Sequence, residues 1–146
     1  EQGFVGDGGD QASRQDMMPS QVKSYNDDDL LATDLTTAND NFNSEHLFYK
    51  TFAQYAALYQ EYPALRFGEQ STLYAQDKPG LFAINRSYLD KQKKSQNLII
   101  VFNTADHVES LKPIIEGKNA ILLHRSDDTQ SQDKIAALSF VIYQVK

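Results

Sequence analysis

The sequence predicts a mainly β fold with one long α-helix, its strands forming an antiparallel sandwich. Three observations carry that expectation. Phe48, Phe52, Tyr55, Tyr59 and Tyr62 recur at intervals of four, three, four and three, which is one face of an α-helix. Beyond Arg66, short segments rich in β-branched and aromatic residues alternate with turn-rich or charged stretches, the spacing of a sandwich. Among them Leu98-Ile99-Ile100-Val101-Phe102 is apolar without alternation, as a strand buried on both faces requires, so it belongs at the centre of the sheet.

Taken in chain order, residues 1 to about 43 are polar and irregular. Asp27-Asp28-Asp29, Thr36-Thr37 and Asn39-Asp40-Asn41 separate small apolar clusters such as Leu30-Leu31, too few to drive folding alone. A long loop is expected here, disordered or missing its packing partner, with a short helical turn around Asp29 to Thr33. The helix follows over about residues 44 to 62. Asn43 is placed to accept a first-turn N–H, Phe42 and Leu47 are spaced for a hydrophobic staple, and Glu45 suits the positive end of the helix dipole. Pro63 ends the helix, because the residue before a proline is pushed out of the α region. Burying each large side chain of the aromatic stripe gains about 1.5 to 3 kcal/mol, so that face is expected to pack on something.

The strands are expected at Ser71 to Ala75, Leu81 to Tyr88, Leu98 to Asn103, Ala120 to His124 and Leu138 to Val145, with a weaker segment at His107 to Leu111. Asp77-Lys78-Pro79-Gly80 punctuates one hairpin, Lys91-Gln92-Lys93-Lys94-Ser95 another, and Ser126 to Asp133 a third.

Bulk properties narrow the function classes. A chain of 146 residues suits one domain, or a small domain with an appended piece. Its formal charge of -6 gives no positive field for phosphate backbones, which excludes nucleic acid as a partner. No apolar run approaches the ~20 residues that span a bilayer, so no membrane partner is expected. With no cysteine, the chain forms neither disulfides nor thiolate zinc sites. His46, His107 and His124 lack the short spacing of a zinc site and read as three unrelated side chains. No Gly-x-Ser-x-Gly elbow surrounds any serine.

The candidate chemistry sits in the opening residues. Four glycines and three acidic residues fall within Glu1-Gln2-Gly3-Phe4-Val5-Gly6-Asp7-Gly8-Gly9-Asp10, followed by Arg14-Gln15-Asp16-Met17. Such a stretch builds no hydrophobic element, but glycines free to take φ > 0 and closely spaced carboxylates suit a tight polar loop beside a ligand. Asp7, Asp10, Arg14 and Asp16 are the candidate substrate-binding residues, since carboxylates and a guanidinium hydrogen-bond sugar hydroxyls. The bland reading stands beside it: Asp and Gly dominate ordinary turns, and an Arg near two Asp is commonly a structural ion pair. Asp7, Asp10 and Asp27 to Asp29 also carry oxygens of the kind calcium takes, yet without EF-hand spacing or a closing Glu they read as a solvated acidic face.

The chain resembles alpha-amylase-type glycoside hydrolases (glycoside hydrolase family thirteen). The resemblance is carried by Glu1-Gln2-Gly3-Phe4, Gly6-Asp7-Gly8-Gly9-Asp10 and Arg14-Gln15-Asp16-Met17, then His46-Leu47-Phe48-Tyr49, Pro63-Ala64-Leu65-Arg66, Pro79-Gly80-Leu81-Phe82-Ala83 and Leu98 to Asn103, in the family's order and approximate spacing. Ala12-Ser13 departs from the acidic-Ala step common in the family, leaving no role to assign at Ser13. The resemblance implies that residues 1–66 are a remnant of the last unit of a (β/α)8 barrel and residues 67–146 a C-terminal antiparallel β domain. It further implies that the opening loop follows the eighth barrel strand, where such enzymes contact substrate. The nucleophile and acid/base carboxyls, which a retaining glycosidase holds about 5 Å apart, would then lie ahead of Glu1. On this basis no residue of the chain is expected to be catalytic and no cofactor is expected, calcium being conceivable only in the parent.

Three readings follow: a non-catalytic C-terminal portion of an α-glucan-active hydrolase that stabilises its barrel, a carbohydrate-binding β module, and an unrelated β-rich interaction domain. The first is preferred. Its partners are the missing catalytic barrel and, for the parent, an α-glucan or oligosaccharide. Self-association through the helix face is expected if that face has no other cover.

Overall fold

The computed structural model describes residues 16–146. The chain divides into two compact units, Glu1–Leu58 and Tyr59–Lys146, and helix α1 (Leu47–Glu61) begins in the first and ends in the second.

The described part of the first unit is held together by polar side chains. The stretch expected to be an unsupported loop carries a 3₁₀ turn at Lys23–Tyr25 and an antiparallel bridge between Asp29 and Thr36. The turn expected around Asp29 to Thr33 is not helical: Ala32 takes φ 58°, the left-handed region, and the chain reverses there to bring Thr36 back to Asp29. Thr37 and Asn41 are fully buried and Leu30 nearly so. Their backbone is paired, Thr37 N–H donating to Asp28 O at 3.1 Å and Asn41 N–H to Met17 O at 2.9 Å. A buried polar side chain is tolerated only when hydrogen-bonded, and Asn41 Nδ2 meets that demand by donating to Thr36 O and Asn39 O, both at 3.1 Å.

Helix α1 starts three residues later than its expected boundary, and its cap differs. Asn43 Oδ1 accepts from Glu45 N–H at 2.9 Å, closing a turn ahead of the helix. The first-turn acceptor is His46, whose Nδ1 takes the Phe48 N–H at 3.2 Å. The expected staple is not formed: Phe42 and Leu47 are 68% and 60% exposed. No residue of α1 is buried, and Phe52, Tyr55 and Tyr59 stand open. Pro63 ends α1 as expected and also occupies the first turn of a second helix, α2 (Pro63–Phe67), since its missing N–H costs nothing there.

The second unit is a five-stranded antiparallel sheet with a reduced second layer. Its strands are β1 (Glu69–Ala75), β2 (Leu81–Leu89), β3 (Ser95–Asn103), β5 (Ala120–Arg125) and β7 (Ser139–Val145), in the spatial order β1-β2-β3-β7-β5. β3 is central, and Leu98 to Val101 are all buried, as its unbroken apolar run requires. After β3 the chain runs out to the far edge as β5, then returns as β7 to fill the gap, pairing Ile100 with Ile142 and Leu122 with Tyr143. β1 and β5 carry bulges at Leu73 and Leu123.

Where a second sheet was expected, the structure has a two-stranded ladder of β4 (Glu109–Ser110) and β6 (Lys134–Ile135) with the helical turn α3 (Lys112–Ile115). Leu111, Ile114 and Ile135 from this layer bury themselves against Leu81, Ala83, Ile99, Val101, Val141 and Tyr143 of the sheet. The stretch Ser126 to Asp133 does fall between two antiparallel neighbours of the sheet, β5 and β7, as expected, but their connection is longer than a tight turn and carries β6 within it. α2 is fixed to the sheet by two side chains. Arg86 donates to Ala64 O (3.0 Å) and Leu65 O (2.9 Å), and Gln96 Oε1 accepts the Ala64 N–H (2.8 Å). Gly68 fits the tight exit from α2 into the sheet, because a Cβ there would sit 2.4 Å from Ala64 O of α2 and 3.0 Å from Ser87 O of β2.

Candidate functional site

Of the four substrate-binding candidates, Asp7, Asp10 and Arg14 lie outside the described residues. Asp16 is described and its side chain is exposed. Its neighbour Met17 is tied to Asn41 through the backbone, and at that junction the structure forms a cleft of about 350 Å³. One wall is Met17 with the segment Asn41 to Ser44, and the other is His46 and Tyr49 at the start of α1. A concave, largely apolar site with a few convergent polar groups is the usual form of a small-molecule site.

The cleft's floor is rigid for identifiable reasons. His46 is 6% exposed and bonded at both ring nitrogens. Because Nδ1 accepts the Phe48 N–H, the ring proton sits on Nε2, which donates to Leu31 O at 3.1 Å. One side chain therefore caps α1 and tethers the turn at Leu31 to it, with the His46 and Phe48 rings in edge contact at 5.4 Å. The polar segment is fixed by Asp40 Oδ1, which accepts the Phe42 N–H at 3.1 Å, and by Asn43. Beside it Lys50 pairs with Glu45 at 2.7 Å and its hydrogen bond holds the Glu45 carboxyl below its ordinary range, on an exposed surface where such a pair contributes little.

Sequence reasoning assigned His46 no role and did not single out Asn41 or Asn43 as lining a cleft. The signal available was the short polar run Asn39-Asp40-Asn41 directly ahead of a strong helix stripe, a pattern of turn formers that orders a loop onto a helix start.

Two other titratable clusters belong to the second unit. Asp127 accepts from Arg125 Nε, from the Ala136 N–H (2.8 Å) and Thr129 N–H (3.1 Å), and from the Ser139 hydroxyl (3.2 Å). Burial pushes its carboxyl up, but the bonds from Arg125, Ala136 and Thr129 outweigh that and bring it down to about 2. Arg125 also donates to Ser131 O and Lys134 O, so the pair staples the Ser126 to Asp133 loop. On the surface His107 lies between Asp106 (3.0 Å) and Glu109 (3.1 Å). The hydrogen bond to Asp106, aided by Glu109, raises the imidazole above its ordinary value, whereas burial lowers that of His124. In both clusters the charged groups are paired with one another. Among the described residues no group of three His, Asp or Glu is placed to hold a metal ion, and no helix is long and apolar enough to cross a membrane.

No family model matches the chain. An alpha-amylase from Streptomyces lividans is 37% identical over 105 residues, covering 72% of this chain and 11% of that protein. Among solved structures, trehalulose synthase MutB from Pseudomonas mesoacidophila MX-45 aligns with a TM-score of 0.60 at 14% identity, covering 93% of this chain and 26% of the synthase. A mutant of trehalulose synthase MutB in complex with Tris gives 0.61 at 14% identity over the same shares. These structural likenesses speak for the fold, the sequence likeness for descent. The chain spans only a small part of each relative. It is a homologue of a small part of the alpha-amylase-type glycoside hydrolases.

Proposed function

We propose that the chain is the C-terminal, non-catalytic portion of an alpha-amylase-family glycoside hydrolase acting on α-glucosidic bonds, with a retaining mechanism in the parent, and that it stabilises the catalytic barrel. The observation that carries this reading is the 37% identity that covers 72% of the chain but only 11% of the alpha-amylase. It is supported by the open stripe Phe52, Tyr55 and Tyr59 on α1. Aromatic side chains of that size gain free energy on burial, and a barrel against which residues 1–66 complete the last unit would bury them. The β domain, residues 67–146, then serves as a rigid flank whose own core is already closed.

In the same reading the reacting carboxyls belong to a part of the parent that this chain does not span, and the chain by itself turns over no substrate. Purified chain incubated with starch, maltooligosaccharides or sucrose is expected to release no reducing sugar above buffer. Turnover that disappears on substitution within the chain would overturn the proposal.

A β-sheet sugar platform is the less favoured alternative. Such a platform needs exposed planar side chains on the strands, but Tyr143 is buried and Tyr74 and Tyr88 are half-buried. The aromatic row Phe82, Phe102 and Phe140 spends its faces on itself, ring centres standing 6.2 and 5.9 Å apart.

A further inference from the structure

We propose that a groove in the second unit, where the sheet runs out from under its covering layer, binds a small carboxylate that carries an apolar body. The layer of α3, β4 and β6 closes over Ala83 and Ile99. Two residues further along each strand, on the same face, stand Asn85 and Asn97, and there a groove of about 480 Å³ opens, within the range of small-molecule sites. Two departures from regular backbone shape it. The bulge in β1 breaks the alternation of that strand, so Leu73 lines the groove while its neighbour Tyr74 packs against the core. Beyond α3, Gly117 takes φ 74° and the Lys118 N–H returns to Ile115 O at 3.0 Å, which brings Lys118 to the opposite wall. Lys146 joins that wall through its N–H, which donates to Asn119 O at 3.2 Å.

The lining selects a charge and a shape. It carries Lys118 and Lys146 and, among the described residues, no Asp or Glu, in a chain whose 20 acidic residues outnumber its 14 basic ones. Among the described residues neither lysine enters an ion pair, and the half-buried side chain of Asn97 makes no hydrogen bond. An anion is therefore attracted and a cation repelled, and the Asn97 amide is left to donate to a carboxylate oxygen. Leu73, Ile99 and Val145 supply apolar surface beside these groups, which rewards a ligand with a hydrocarbon body. No aromatic ring lines the groove, so a pyranose finds no platform there.

Every residue used here belongs to the second unit, and the inference does not draw on the chemistry of a parent enzyme. Its failure would leave the reading of the chain as an amylase tail untouched. Titration of the full chain with hexanoate, 1-hexanol and inorganic phosphate, followed by amide chemical shifts, tests it, because the three probes separate charge from body. The expected result is saturable shifts with hexanoate at Leu73, Asn97, Lys118 and Val145, weaker shifts with hexanol and with phosphate, and loss of binding as salt screens the lysines. Lys118→Gln and Lys146→Gln are each expected to weaken hexanoate about 2- to 5-fold, and Leu73→Ser to weaken it while leaving phosphate unchanged. Lys91→Gln, at an exposed lysine outside the groove, is expected to change nothing. Both lysines are exposed, so these variants keep the fold, which circular dichroism checks. Hexanol binding as tightly as hexanoate, phosphate binding as tightly as hexanoate, affinity insensitive to both lysine substitutions, or no saturable shift at the groove overturns the proposal.

Discussion

His46 joins two pieces of chain that sequence alone leaves separate: its Nε2 donates to the carbonyl of Leu31, fifteen residues earlier, at 3.1 Å while its Nδ1 receives the Phe48 amide. The bond across the loop and the cap on the helix share one ring, so neither can be lost without loading the other. This coupling explains how a stretch so poor in apolar residues holds an ordered cleft.

Replacing His46 by Leu removes both bonds and leaves the Leu31 carbonyl and a first-turn N–H without their partner. The expected cost is about 1 to 3 kcal/mol, read as a lower urea midpoint and faster hydrogen exchange at the Phe48 amide. His46→Asn separates the two roles. Asn still caps a helix but is too short for Leu31, so protection at Phe48 is expected to persist while the turn around Leu31 loosens.

Asp127 supplies the clearest acid dependence. Its folded carboxyl is depressed to about 2 from an ordinary value near 3.8, so its contribution is fully present above the ordinary value and is lost as pH falls through the folded one. The difference corresponds to about 2 kcal/mol. Asp127→Asn is expected to lose about that much stability at pH 7 and to narrow its gap from the parent sequence between roughly pH 4 and 2. A gap that stays constant across that window would show that Asp127 acts by shape and not by charge.

The imidazoles are expected to titrate in a defined order. His107, bonded by Asp106 and Glu109, is raised, and His124, partly desolvated, is lowered. NMR titration should place His107 above the ordinary imidazole value and His124 below it, and Asp106→Asn should lower His107 alone. Because His107 is exposed and its folded value is raised, any stability it adds is present at low pH and fades as pH rises through that value; on an open surface this is expected to be small.

Much of the second unit was legible in the sequence because burial on two faces leaves a signature. Leu98 to Phe102 gave β3 its central place, and β2 and β7 start within a residue of expectation. β6 was not legible: two residues have no period to read, and its pairing with β4 is set by the Arg125 and Asp127 staple across the intervening loop. Pro63 was read only as a stop, although the same missing N–H that ends α1 lets α2 begin. The second layer was expected as a sheet because sandwich spacing counts segments and not their lengths. In the first unit the cleft depends on His46 reaching Leu31 and Asn41 reaching Met17, contacts across 15 and 24 residues. Local patterning carries no record of them.

The central claim is that these residues are the tail of a sugar-cleaving enzyme whose reacting groups lie elsewhere in the same polypeptide, and the mass of the native gene product carrying them tests it most directly. The account predicts a polypeptide several times the 16.5 kDa of this chain, long enough for a barrel of about 250 residues and active on α-glucosidic bonds. A native product that begins at Glu1 with nothing ahead of it would contradict the account.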